Sequence, residues 1–212
     1  MTKTSRETLI ALARDIFRDH GYAGFSMGDL AAQAGLRKAS LYSRFSGKDE
    51  LAVAALGLTL TQLQALTVTG DDLPARYRAL LDGIAGHLTA GRRCVGLHLL
   101  YGDVPPPVAD ANRQFFNGLL TLCTDLLAQA LPADLARSMA QDSIAALQGA
   151  TVWLLLENDA APMGRAIDAL MVTVETLTGD DPQAAEIAAL NDQVLPLRTA
   201  LAGQIKAEAG SR

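Results

Sequence analysis

Apolar residues recur along this chain at intervals of three and four, which predicts helix almost from end to end. The first stripe is Leu9, Leu12, Ala13, Ile16 and Phe17, and Thr4-Ser-Arg-Glu7 ahead of it has the form of a capping box. A first helix is therefore predicted to run to about His20. A second opens at Ser26, a good N-cap, with Asp29 at the position that reaches back to the cap. Leu30, Ala31 and Ala34 form its apolar face, and Gly35 ends it where a left-handed residue costs least. Leu36 enters a turn, and Arg37 to Phe45 is predicted as a third helix with Leu41 and Phe45 inward. That leaves Arg37, Lys38, Ser40, Ser43 and Arg44 on its other faces. Ser46 to Asp49 opens a fourth helix, which reaches the mid-sixties before Thr69-Gly70-Asp71-Asp72 breaks it.

The remainder also reads as helix, with no alternating strand pattern and no internal repeat, so the fold class is all-α. Leu73, Tyr77, Leu80, Leu81, Ile84 and Leu88 line a fifth helix, and a short sixth spans Cys94 to Tyr101. Pro105-Pro106-Pro107 starts a seventh, Pro132 precedes an eighth over about Asp134 to Glu157, and Pro162 starts a ninth. Asp181-Pro182 caps a final helix of residues 182–207, whose Ile187, Leu190, Val194, Leu197 and Leu201 suit packing on one partner helix. Pro196 should kink it near Val194. Residues 1–50 are read as a three-helix head and 51–212 as a larger helical body, with the fourth helix joining them.

A helix, a glycine-containing turn and a short helix rich in donors make a helix-turn-helix, whose second helix enters a DNA major groove. Over residues 4 to 55 the chain resembles the TetR family of bacterial transcriptional regulators. Phe17 with Gly21-Tyr22 ends the first helix, and Ala31-Ala32-Gln33-Ala34-Gly35 leads into the turn. Lys38-Ala39-Ser40-Leu41-Tyr42 stands where the family commonly has Lys-Gly-Thr-Leu-Tyr, and Phe45-Ser46-Gly47-Lys48-Asp49-Glu50-Leu51 resembles its Phe-Pro-Ser-Lys-Glu-x-Leu.

The start of a reading helix faces base edges, so Arg37 is the candidate for a guanine contact through its bidentate fork. Ser40 and Ser43 are candidates for base or phosphate bonds. The resemblance implies that Tyr42 contacts a phosphate, and Lys38 and Lys48 are expected to do the same. Lys48 lies at the start of the fourth helix, whose dipole favours an anion. Ser26 is expected to serve as cap and phosphate ligand. The bland alternative for Arg37, Lys38 and Arg44 is the solvated face of a short helix. Arg37, Ser43 and Arg44 occupy variable family positions, so no operator sequence carries over.

Charge modifies this picture only locally. The chain carries −5 overall with a pI of about 5.1, at face value unsuited to nucleic acid. Residues 1–50, however, hold eight Lys/Arg against six Asp/Glu, while the rest holds ten against 17. A cationic bias in the head on an acidic body fits, because the local field steers binding. Residues 51–70 carry no charge, but their threonines and glutamines make a membrane span a poor reading. With no visible signal peptide, a cytoplasmic protein is expected. Cys94 and Cys123 have neither disulfide-framework nor metal spacing; buried inert thiols are the first reading for them and an oxidant-sensing pair the alternative.

A single head would bind DNA weakly, so a homodimer reading a palindromic double-stranded operator is expected. The resemblance implies a four-helix dimer bundle from the eighth and ninth helices. Ala146, Gly149 and Ala150 permit close approach there, Trp153 is a candidate anchor, and Ile167, Leu170 and Val174 belong to the ninth helix's stripe. Ordinary intrachain core is the alternative. The resemblance also implies a pocket for a small-molecule effector among helices five to eight. Candidates from the earlier part are Tyr77, His87, Cys94, His98 and Tyr101; from the later part, Phe115, Phe116, Met139 and Trp153. Arg92 and Arg93 either clamp a carboxylate, cap the fifth helix or stay in solvent. No metal site or cofactor is expected, His87 and His98 being too far apart for a helical ligand pair. The expectation is a ligand-responsive regulator, in the first instance a repressor and not an enzyme. An all-helical enzyme or a protein-binding adaptor is the alternative, but no nucleophile elbow, phosphate loop or His-Glu-x-x-His supports catalysis.

Overall fold

A computed structural model describes residues 4–100 and 103–179, together with three isolated helical positions, 194, 200 and 204. Tyr101 and, those three positions apart, the predicted final helix lie outside the described residues. The described residues form nine helices and no strand. In the head, α1 (Arg6–Gly24) packs against α2 (Met27–Gln33), and α2 against α3 (Lys38–Tyr42). Helix α4 (Lys48–Gln64) leads into the body of α5 (Leu73–Gly91), α6 (Val95–Leu100), α7 (Pro106–Leu127), α8 (Ala133–Leu156) and α9 (Ala161–Thr178).

Local chemistry explains most boundaries and shifts several of them. The α1 cap is Ser5, one residue later than expected, accepting from the Thr8 N–H at 3.0 Å. Helix α1 also continues past His20: Gly21 breaks its geometry at φ 64°, and one further turn follows to Gly24. Ser26 caps α2 by accepting from the N–H groups of Gly28 and Asp29, at 3.0 and 3.4 Å, while Asp29 is exposed. The α2–α3 turn is a Schellman motif. Gly35 at φ 64° donates to Ala32 O, and the Leu36 N–H reaches Ala31 O. Helix α3 is shorter than expected, beginning after Arg37 and ending at Tyr42. Its hold on the head is apolar, through fully buried Leu41 and Phe45.

Helix α4 starts after Gly47 with no side-chain cap on its own N–H groups. Glu50 instead accepts from the Ser46 N–H at 2.7 Å and takes the Arg6 guanidinium, also at 2.7 Å, joining the starts of α1 and α4. Buried Leu51, Ala52, Ala55, Leu56, Thr59 and Leu63 run the length of α4, which packs on both α1 and α7. A cut between residues 50 and 51 would pass through its first turn. No helix among the described residues is long and apolar enough to cross a membrane.

Gly35 has no neighbouring atom within 4 Å of where a Cβ would sit, so replacing it tests backbone strain alone. Gly35→Ala should lower stability by about 1–2 kcal/mol, read as a lower denaturant midpoint with unchanged slope.

Candidate functional site

The outer surface of the helix-turn-helix is built from what packing leaves over. With Leu41 and Phe45 inward, Arg37, Lys38, Tyr42 and Ser43 are exposed and Ser40 is half-buried. Tyr42 is 55% exposed, well outside what core packing accounts for. The Ser43 hydroxyl donates back to Ser40 O at 3.0 Å, which holds it against its own helix. The Lys38 side chain lies along the start of α2, where a Cβ at Gly28 would come within 2.8 Å of Lys38 Cε and 3.0 Å of its Nζ. Gly28 thus makes room for the ammonium beside Ser26. An ammonium next to a helix N-terminus is an arrangement suited to an oxyanion.

Two other candidates are more constrained than their sequence positions indicate. Arg44 donates through Nη1 to Thr4 O at 2.7 Å and is half-buried. Because α3 stops at Tyr42, Arg44 lies past its end and turns back towards α1, so its guanidinium braces the reading helix. The Lys48 ammonium sits 3.9 Å from the centroid of the Tyr22 ring, a cation–π contact. Partial burial holds its pKa below the usual value, opposed by Asp49. The Tyr22 hydroxyl donates to Asp49 Oδ1, and burial followed by that bond pushes its pKa up to about 12.

In the body, two voids meet between α1, α4 and α5. One is an open polar cleft of 420 Å³ whose walls include Arg14, Asp15, Arg18, Gln62, His87 and Arg92. The other is a nearly closed apolar slot lined by Leu63, Ile84, Leu88, Val95, Phe115 and Leu119, with Cys94 and Gln148 at its edge. Its free volume is 10 Å³, room for about one water. Arg18 and His87 border both. Arg18 Nη2 donates to His87 Nε2 at 2.8 Å. A guanidinium is only ever a donor, so His87 is neutral, with Nε2 as acceptor and the proton on Nδ1. Burial, then the charges of Arg18 and Arg14, push its pKa down to about 4.

Residues 9–55 match the family model described as bacterial regulatory proteins, tetR family. The chain is 36% identical over 98 residues to the HTH-type transcriptional activator FasR of Mycolicibacterium smegmatis. That match takes in 42% of this chain and 44% of the relative, so the chain spans less than half the length of the curated relative it matches. The fold is similar to the crystal structure of a TetR transcriptional regulator from Legionella pneumophila, with a TM-score of 0.74 at 17% identity. That similarity covers 82% of this chain and 99% of that one. It is similar also to FadR from Bacillus subtilis in complex with stearoyl-CoA, with a TM-score of 0.63 at 14% identity, covering 79% and 98% of the two chains. Residues 9–55 thus match the tetR family, and the fold of the described residues is that of solved TetR regulators.

The nine effector candidates do not converge. His87, Cys94 and Phe115 share the apolar slot. Tyr77 is fully buried, its hydroxyl donating to Ser143 Oγ at 2.8 Å, and the Ser143 hydroxyl donates onward to Met139 O. Both Tyr77 and Met139 are therefore core. Phe116 packs edge-on against Phe115, with ring centroids 5.2 Å apart. His98 is half-buried beside Arg93 and Asp19, facing the head. Trp153 is 44% exposed, on the outside of α8. Arg92 is the left-handed C-cap of α5, and Arg93 donates to Arg18 O and Asp19 O. Among the described residues no group of three or more His, Cys, Asp and Glu is placed to hold a metal.

Interface candidates also divide. Ala150, Ile167 and Val174 are buried within the chain, Ala146 and Leu170 are half-buried, and Gly149 and Trp153 are exposed. Helix α9 turns its stripe onto α5 and α8, because a stripe alone does not specify which helix covers it. The apolar residues left open are Val152, Trp153, Leu155 and Leu156 on α8 and Val172 on α9. Arg18 and Gln148 were not foreseen at the cavities. Arg18 looks in sequence like one member of an ordinary i, i+3 pair with Asp15.

The His87 environment predicts a pH dependence. Between pH 6.5 and 4 the unfolded chain takes up a proton that folded His87 refuses. This contribution to stability is complete above pH 6.5 and is lost as pH falls towards 4. The melting temperature should decline across that window, and His87→Gln should flatten that part of the decline.

Proposed function

We propose that the protein is a non-enzymatic transcriptional repressor, dimeric on a palindromic operator and released by a small-molecule effector. The observation that carries the reading is the surface of α3 and the adjoining α2 start, where Arg37, Lys38 and Tyr42 are exposed and Lys38 lies beside Ser26. Arg37 at the helix start supplies the base contact; Lys38, Tyr42, Ser26 and Lys48 contact phosphates, with Ser40 and Ser43 in support. Phosphate contacts set affinity and register, whereas Arg37 carries sequence choice. The dimer forms through Gly149, Val152, Trp153 and Leu156 of α8 with Val172 of α9, an apolar surface that monomers seldom leave open. Two heads about 34–36 Å apart then reach successive major grooves. Support for an effector comes from the cavities beside α1 and from the stearoyl-CoA held by the structurally similar FadR. A second reading, activation, is favoured by the activator FasR.

Duplexes selected from a random library should yield a palindrome bound as two chains per site. Lys38→Ala should reduce the slope of log affinity against log salt by about one per half-site, and Arg37→Ala should relax base choice by about 1–3 kcal/mol at one position. Sedimentation of Trp153→Arg should show a monomer. Failure of the selection to enrich any sequence would overturn the regulator reading. Transcription from a promoter carrying the palindrome, with and without the protein, decides between repression and activation.

A further inference from the structure

Arg18 is the one charged side chain buried among the described residues, 5% exposed. It belongs to α1, yet its guanidinium lies against the body. Its only counter-charge among the described residues, Asp15 Oδ1 at 3.1 Å, is itself exposed and shared with Arg14 Nε at 3.2 Å. Its other partner, His87, is neutral. The Nε–H is buried with no partner among the described residues. Gln148 Oε1 on α8, which also lines the slot, is likewise buried and unpartnered among the described residues. Unmet buried polar groups are uncommon and costly, more so on a charged group.

The backbone is shaped to keep the guanidinium there. A Cβ on Gly91 would stand 2.5 Å from Arg18 Cζ and 2.9 Å from Nε, so a side chain there would push the guanidinium from this position. On one side of the guanidinium lies the open cleft, which also holds Arg14 and Arg92; on the other lies the apolar slot. The Nε and Nη2 hydrogens of an arginine point from one edge in parallel, matching the two oxygens of a carboxylate. Here one of those positions is empty and the other is taken by a neutral, displaceable imidazole.

We propose that this head–body junction binds an apolar carboxylic acid, the carboxylate taking the Nε/Nη2 edge of Arg18 in place of His87 and the tail entering the slot. The narrowness of the slot calls for a slim, unbranched tail, and filling it requires Phe115 and its neighbours to give way. Displacing His87 breaks a side-chain tie between α1 of the head and α5 of the body. As regulation, the inference rests on the ligand-responsive reading above. As a binding site it can be tested alone.

The test is calorimetric titration of the full-length protein with octanoate and, separately, octan-1-ol. One octanoate should bind per chain, with the alcohol weaker by about thirtyfold or more. Arg18→Gln should bring octanoate to the affinity of the alcohol. Gly91→Ala keeps every charge and should weaken octanoate alone, which covers the case of an Arg18 variant that does not fold. His87→Ala removes the competing acceptor and should strengthen octanoate, an effect that a purely structural role for Arg18 would not produce. Absence of octanoate binding, equal binding of acid and alcohol, or octanoate affinity unchanged by Arg18→Gln or Gly91→Ala would each overturn the proposal. Duplex selection on the same preparation without octanoate separates the readings. Operator binding without acid binding removes only this proposal, and acid-specific binding without operator binding removes only the regulator.

Discussion

The packing of α4 against α1 on one side and α7 on the other is the constraint on which the rest depends. A helix covered by two partners cannot follow one without pulling on the other. Leu51, Leu56 and Leu63 are buried almost completely along it, each worth about 1.5–3 kcal/mol relative to exposure. Close-packed interiors are stiff and move between discrete arrangements. The head is thus placed by the body's core, and a rearrangement around α7 has a direct route to the reading helix.

Polar contacts at this junction do a different job. Arg6 with Glu50, Tyr22 with Asp49, and Arg14 with Gln62 at 2.8 Å are exposed and add little stability each. They set direction: each joins α1 to α4, so the two helices cannot slide freely along their shared apolar seam. Arg18 departs from the pattern, since its burial makes its charge expensive and its two partners compensate it incompletely. A group of that kind is a poor choice for stability alone, where an apolar side chain of similar volume would serve.

The reading helix shows the same division of labour at small scale. Five residues are far too few for helix propensity to hold them. Leu41 and Phe45 anchor α3, the Schellman turn at Gly35 aims it, and Arg44 bonds back to Thr4. Its exposed side chains are then free of structural duty, which lets them vary without unfolding the head.

Periodicity and caps made the helices legible, since both are written in neighbouring residues: Ser26, Gly35 and the proline starts mark their boundaries within a residue or two. The helix-turn-helix was legible for the same reason, its inward and outward positions being fixed by spacing on very short helices. What lay beyond the sequence was the choice of partner. The stripe of Ile167 and Val174 on α9 specifies that something covers it, and only the tertiary structure assigned that role to α5 and α8. Arg18 and His87, 69 residues apart, carry no local sign of each other. Their meeting depends on how α1 docks on α5, a long-range consequence of packing that no window of sequence contains.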